Sequence, residues 1–278
     1  ADYPARLSAL PDAPFGLYVR GRLPDKEKKQ VAIVGARMCS EYGRAAATEL
    51  GRQLASVGAG VISGMARGID TAGHAGALLG GGYTCAVLGC GVDVCYPSSN
   101  RRLYGEIREK GCILSEYPPD TSPLPGYFPQ RNRIIAGLSD IVVVVEARER
   151  SGSLITADCA LEQGKEIYAV PGRIFDPLSA GCNQLIRQGA GIVAGIDDFK
   201  KELGFCGGGS VFQESFVNLL LEKNERLVYS CVDFRPKSIE KLLGETALSM
   251  PELAEILERL TQKGFLTETF KNCYIRKI

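Results

Sequence analysis

The sequence predicts an α/β protein: an extended Rossmann-like, doubly wound and mostly parallel sheet, followed by a small C-terminal winged-helix domain. Three observations carry this. Seven short, β-branched runs alternate with helical stretches from residue 31 onward. Most of those stretches close on glycine, as helix C-termini tend to. After about residue 203 the texture changes at "GFCGGGS", and a charge-mixed helical tail follows.

Taken in order, residues 1–30 contain a candidate edge strand, "FGLYVRG", ahead of the charged connector "LPDKEKKQ". The runs are "VAIVG" (31–35), "GVISG" (60–64), "YTCAVLG" (83–89), "CILSE" (112–116), "DIVVVVEA" (140–147), "EIYAVPG" (166–172) and "AGIVAG" (190–195). Runs this apolar, without alternation, suit strands covered on both faces by helices. The tail reads as a helix "SFVNLLLEKNERLVYSCV", a helix "SIEKLLGETA", a helix "MPELAEILERLTQKG" and a hairpin "FLTETFKNCYIRKI", which is winged helix-turn-helix order. The expected domains are 1–206 (with 1–30 as an N-terminal elaboration), a linker at 207–213 and the winged helix at 214–278.

The 278 residues carry 33 basic and 32 acidic side chains, so a polyanion would have to be met by a local cluster of charge. Among ten cysteines no pair has the two-residue gap of a zinc knuckle or redox motif, and there is one histidine, His74. No long apolar span is present. The expectation is therefore a cytoplasmic protein with reduced thiols, no metal, no cofactor and no membrane span.

In a doubly wound sheet the ligand site lies beyond the carboxyl ends of the strands, where helix N-termini point free N–H groups. Strand one ends in "VGARMCSEYG", giving Gly35 for the turn, Arg37 on the loop and Ser40 as a helix cap. The spacing is not that of a dinucleotide fingerprint. Strand two ends in "SGMARGID", where Gly64 and Gly68 allow close backbone approach, Arg67 supplies a planar fork and Asp70 a cap. Alone, this stretch reads equally well as a tight connection.

Later strand ends add to it. "FPQRNRIIAGLS" offers Phe128, Arg131, Asn132 and Arg133, a mixture able to stack a base and grip its phosphates; both arginines could instead solvate a helix that buries Ile134, Ile135 and Leu138. "SGSLITA" opens a helix with Ser151, Gly152, Ser153 and Thr156, a phosphate cradle without the lysine of a P-loop, and "VPGRIFDPLSAGCNQLI" brings Arg173 and Asn183. Arginines thus recur at 37, 67, 131, 133 and 173, a row suited to an extended polyphosphate, with no evident nucleophile or metal set beside it.

Six ordered motifs, "VGARMCSEYG", "SGMARGIDTAGHAGAL", "VLGCGVDVCYPSSNRRLY", "SEYPPDTSPLPGYFPQRNRIIAGLSD", "SGSLITADCALEQGKEIYAVPG" and "GCNQLIRQGA", resemble the bacterial DNA-processing protein A family, also called DprA or Smf. The resemblance covers about residues 31–200, and the tail resembles the winged helix that many members carry. It implies a homodimeric protein, not an enzyme, that binds and protects single-stranded DNA and helps load the RecA recombinase onto it during natural transformation. Carried over by motif, Arg37, Arg67, Arg131, Arg133 and Ser153 match the groove residues, Phe128 the stacking aromatic, and Lys165 a basic residue near the groove. Dimerisation and RecA contact map in the family to the region of about 182–199. Many members begin with a SAM-like helical domain, whereas this sequence starts at "ADYPARLSAL", within the α/β part.

Two other functions compete. A nucleoside-monophosphate N-glycosidase of the related fold group would carry PGGxGTxxE where this chain reads "ARERSGSLITADCAL", without the glutamate that stabilises the oxocarbenium charge; His74 would be its one histidine base. A double-stranded DNA regulator would read through the third tail helix, yet that helix carries Glu252, Glu255 and Glu258, and residues 210–278 hold ten basic and ten acidic side chains. With the groove reading, Arg67→Ala and Arg131→Glu are both expected to lower single-strand affinity and leave the fold intact.

Overall fold

Five strands are buried at every position: β2 (Gln30–Val34), β3 (Gly60–Ser63), β4 (Thr84–Leu88), β5 (Cys112–Ser115) and β6 (Ile141–Val144). That explains why their sequence shows apolar runs instead of alternation. In this computed structural model, which describes residues 3–205, 221–233 and 236–276, they sit in an eight-stranded sheet with β1 (Tyr18–Gly21), β7 (Glu166–Ala169) and β8 (Gly191–Ile192). The order is β1-β5-β4-β3-β2-β6-β7-β8, with β1 antiparallel to β5 and all other pairs parallel. The expected edge strand is therefore present.

The chain winds outward from β2 through β3, β4 and β5, then restarts at β6 on the other side and proceeds to β7 and β8. The order reverses between β2 and β6, paired in register from Val31 opposite Ile141 to Val34 opposite Val144. Their carboxyl ends form the switch point where such sheets take ligands.

Alternate residues of the strands feed two cores. Ala32, Val34, Val142 and Val144 pack with α1 (Ala5–Ser8), α5 (Tyr127–Leu138), α6 (Gly152–Glu162) and α7 (Ala180–Arg187). Val31, Ile33, Ile141 and Val143 pack with α2 (Glu41–Ser56), α3 (Ile69–Leu79) and α8 (Ile196–Glu202). Beside the second core, Ala86, Leu88 and Ile113 meet Tyr104 and Ile107 of α4 (Arg101–Lys110). The result is three layers, each apolar face matched by a helix layer.

Helices α2 and α3 touch through their backbones. A Cβ on Gly51 would lie 2.4 Å from the Gly73 carbonyl oxygen, and one on Gly76 would lie 2.0 Å from that of Thr48. This seam seats the N-terminus of α3 close to the loop after β2.

The chain divides into two units at Cys206/Gly207. The second contains α9 (Lys223–Cys231), α10 (Ile239–Thr246) and α11 (Met250–Gln262), with strands β9 (Lys237–Ser238), β10 (Leu266–Phe270) and β11 (Cys273–Arg276) in an antiparallel sheet ordered β10-β11-β9. Leu253, Ile256, Leu257 and Leu260 of α11 are buried in its core with Leu242 and Val228. The expected linker at 207–213 and residues 215–220 of the expected first tail helix lie outside the described residues. Among the described residues the nine cysteines are free thiols, and no helix is long and apolar enough to cross a membrane.

Two glycine substitutions separate the seam from ordinary helix surface. Gly76→Ala is expected to destabilise by about 2 kcal/mol, overpacking against a carbonyl outweighing the roughly 1 kcal/mol gain in helix propensity. Gly105→Ala on α4, where nothing lies within 4 Å of the added Cβ, is expected to stabilise by about 0.5–1 kcal/mol. Urea unfolding of the two variants checks both signs.

Candidate nucleic-acid interface

The carboxyl ends of β2 and β6 open onto a pocket of about 560 Å³. Its floor is built by Arg131, which the helical phase of α5 turns inward, leaving it 4 % exposed. One terminal nitrogen donates to the Gly64 carbonyl at 2.8 Å and also to the Val87 carbonyl, and Nε donates to Asn132 Oδ1 at 3.2 Å. Burial draws its pKa down to about 10 against the opposing pull of Asp70, so it remains a cation at neutral pH. Asp70 Oδ2 accepts from the backbone N–H of Gly64 at 3.1 Å and of Ala66 at 3.4 Å, and burial raises its pKa against the influence of Arg131.

The glycines fit this clamp. A Cβ on Gly64 would lie 2.5 Å from an Arg131 nitrogen, and one on Gly68, whose φ is +78°, would lie 2.2 Å from the Ala36 oxygen. Their absent side chains admit parts of the chain itself, not the ligand backbone expected of them. Gly68 is the N-cap of α3, and Asp70 ties down the preceding loop instead of capping.

Above the floor, Arg37 is exposed on the loop after β2, its guanidinium 5.3 Å from the centre of the Phe128 ring. Phe128 packs on Tyr96 with centroids 5.6 Å apart. Ser151 caps α6, accepting from the Ser153 N–H, and its hydroxyl lies 2.8 Å from that of Ser153. The start of α6, with exposed Gly152, therefore faces the pocket with amide donors and the positive end of a helix dipole. Asn132 holds this turn by donating to the Gly152 carbonyl at 3.2 Å. Arg148 and Arg150, both exposed, complete the wall. Among the described residues, Asp70 is the one acidic residue in the lining.

The neighbouring helix N-terminus is sealed. Glu146, 4 % exposed at the end of β6, accepts from Ser40 N at 2.9 Å and from the Ser40 hydroxyl, while Ser40 caps α2 through Gly43 N. A protein carboxylate occupies the place a dinucleotide phosphate takes in related sheets.

A family model described as DNA recombination-mediator protein A matches residues 1–204. The chain belongs to that family. DNA processing protein DprA of Streptococcus pneumoniae is 46 % identical over 203 residues, 73 % of this chain and 72 % of that protein. Protein Smf of Escherichia coli is 45 % identical over 204 residues, and the chain spans 54 % of its length. The crystal structure of the Streptococcus pneumoniae DprA aligns with a TM-score of 0.69 over 72 % of this chain and 70 % of that one. DNA processing protein A of Helicobacter pylori, whose structure concerns a single-stranded DNA binding mode, aligns at 34 % identity with a TM-score of 0.67 over 73 % of this chain and 93 % of that one. A DNA-processing role in recombination is the family's common ground.

Of the residues that the DprA resemblance and the motifs picked out, the pocket gathers Gly35, Arg37, Phe128, Arg131, Asn132, Ser151, Gly152 and Ser153. Arg67 is exposed beside Ala66, which lines it. Arg173 is exposed on the loop after β7. Asn183 is engaged by that loop, its amide donating to the Gly172 carbonyl at 3.1 Å and accepting from Gly172 N at 3.2 Å. Two residues are brought elsewhere. Arg133, two positions along α5 from Arg131, points away to Glu116 at 2.7 Å and Asp12 at 3.1 Å. Lys165 precedes β7, at the opposite end of the parallel strands from the pocket.

The expectation that Arg131→Glu leaves the fold intact is corrected, because Arg131 is a buried residue of α5 and the substitution would set a carboxylate against two backbone carbonyls. Sequence reasoning missed Arg148 and Arg150, which in "EARERSGSLITA" read as ordinary surface charge beside the small residues of the helix start. The signal was their alternation about Glu149, directly after a buried strand.

His74 is fully buried, with Nδ1 2.6 Å from the Thr84 hydroxyl, which itself donates to the Val61 carbonyl at 2.8 Å. Thr84 must then accept, so the proton sits on Nδ1; Nε2 has no hydrogen-bond partner among the described residues. Burial, with Arg131 adding, lowers the pKa to about 3.

Two outcomes follow for solution experiments. Arg131→Ala, which strands two carbonyls and Asp70, is expected to cost about 3 kcal/mol or more of stability, seen as an early thermal transition. His74 is expected to keep neutral, Nδ1-protonated imidazole nitrogen shifts at pH 5. Since its folded pKa lies below the unfolded 6.5, its contribution to stability is complete above pH 6.5 and declines toward pH 3, which pH-dependent unfolding measures.

Proposed function

We propose that this chain binds single-stranded DNA at the switch-point pocket and retains it without turnover. The observation that carries the reading is one concave site combining three exposed arginines (37, 148 and 150), a buried fourth, an open helix N-terminus and a paired aromatic wall. Phosphates suit the first three elements and a base suits Phe128. Gly35, Asn132, Ser151, Gly152 and Ser153 shape the contact, with Arg67 and Arg173 flanking it. The Helicobacter pylori relative, which is studied for single-stranded DNA binding, supports the same class of ligand.

Retention is favoured over cleavage. The one carboxylate in the lining, Asp70, is committed to two backbone amides, and His74 does not line the pocket. The second unit favours no duplex contact: on α11, Arg259 lies 3.9 Å from both Glu222 and Glu255, and Lys263 pairs with Glu225 at 2.8 Å. We assign that unit, read as a winged helix, an accessory role. Loading of RecA onto the bound strand, homodimerisation through about residues 182–199, a part in natural transformation and a cytoplasmic location rest on family membership.

Fluorescence anisotropy with an oligothymidine, at two salt concentrations and against an equal-length duplex, tests the reading. Binding is expected to prefer the single strand and to weaken steeply with salt. Arg37→Ala and Arg150→Ala are each expected to weaken it about tenfold and to reduce the log–log salt slope by about 0.7. Equal affinity for the duplex, or unaltered slopes in both variants, would overturn it.

A further inference from the structure

The loop between β7 and α7 presents two large apolar side chains almost wholly to solvent, Ile174 at 83 % and Phe175 at 91 % exposure. Scattered exposed hydrophobics are ordinary. These two are adjacent, and they occupy the central positions of a turn closed by Asp176 N donating to the Arg173 carbonyl at 3.1 Å.

The turn is held firmly. Asp176 Oδ1 accepts from Leu178 N at 2.9 Å, and Ser179 N donates to the Asp176 carbonyl at 3.0 Å. Asn183 clamps Gly172 at both its N–H and its carbonyl, and Ala147 N donates to the Leu178 carbonyl at 2.8 Å, fastening the loop to the end of β6. A platform ordered in advance loses little entropy when something settles on it.

Leu178, three residues beyond Phe175, lines the arginine pocket, and Arg173 is exposed on the same turn. The surroundings therefore supply positive charge beside an apolar tip. The ligand with that pattern, anionic groups at regular intervals alternating with flat apolar faces, is a single nucleic-acid strand. We propose that Ile174 and Phe175 form a second base platform, taking a base of the strand whose phosphates lie in the pocket. This rests on the single-strand reading above and adds a contact to it. Residues at such a platform grip any base by its face, so the platform adds affinity without sequence preference.

The chain contains no tryptophan, so Phe175→Trp gives a single reporter at the tip. In the full chain, oligothymidine is expected to quench that emission, while an abasic oligonucleotide of equal length leaves it unchanged. Phe175→Ala is expected to weaken oligothymidine binding about tenfold, with no change for the abasic strand and no change in melting temperature. If the unaltered chain binds oligothymidine but the tryptophan is unmoved and Phe175→Ala binds equally well, the platform is refuted and the pocket reading stands. If Phe175→Ala instead changes the mass in solution and not the affinity, the turn is a protein contact and the proposal is refuted. If the unaltered chain binds no oligothymidine at all, the pocket reading itself fails and this one with it.

Discussion

A single buried guanidinium organises the interior. Arg131 reaches from α5 to carbonyls at the ends of β3 and β4, with Asp70 of α3 nearby, so three layers of the fold meet at one cation. Removing a cation from water is costly, and only near-complete hydrogen bonding offsets it. The depressed pKa records that cost. The same charge, screened little by water, lends positive potential to the pocket above it, so a structural necessity and an electrostatic asset coincide in one side chain.

The site also depends on what closes the alternative. In doubly wound sheets the helix after the first strand ordinarily receives the ligand phosphate. Here Glu146 from the adjacent strand fills that N-terminus, and a Cβ on Gly43 would lie 2.3 Å from its carboxyl, so the two are in direct contact. With α2 satisfied internally, the open amides are those of α6 across the switch point. The open helix N-terminus is thereby displaced by one crossover, and the exposed Arg148 and Arg150 that follow β6 line the same pocket.

Much of this was legible in residues 31–200. The strands were readable because burial on both faces left uninterrupted β-branched runs, and the glycine-rich strand ends lie on the edge of the sheet onto which the arginine pocket opens. The directions of side chains were not readable. Arg131 and Arg133 are two residues apart on a helix, so they face opposite ways, one into the pocket floor and one to Glu116 and Asp12. Lys165 sits close in sequence to the α6 cradle, but the helix carries the chain to the other end of the sheet before it. Gly64 and Gly68 invited a ligand on paper because a missing side chain does not say what fills the space. Only the folded chain identifies the occupants as Arg131 and the Ala36 carbonyl.

The backbone contact between α2 and α3 bears on how this family can drift. Where two helices meet through side chains, a lesion on one can be relieved by a smaller residue on the other. At Gly51 and Gly76 the opposing atoms are main-chain carbonyls, which every residue type possesses. No substitution opposite them can make room, so second-site suppressors of a change at either position would have to arise at a distance, by moving a whole helix. A library screened for such suppressors would map which parts of the sheet can still shift.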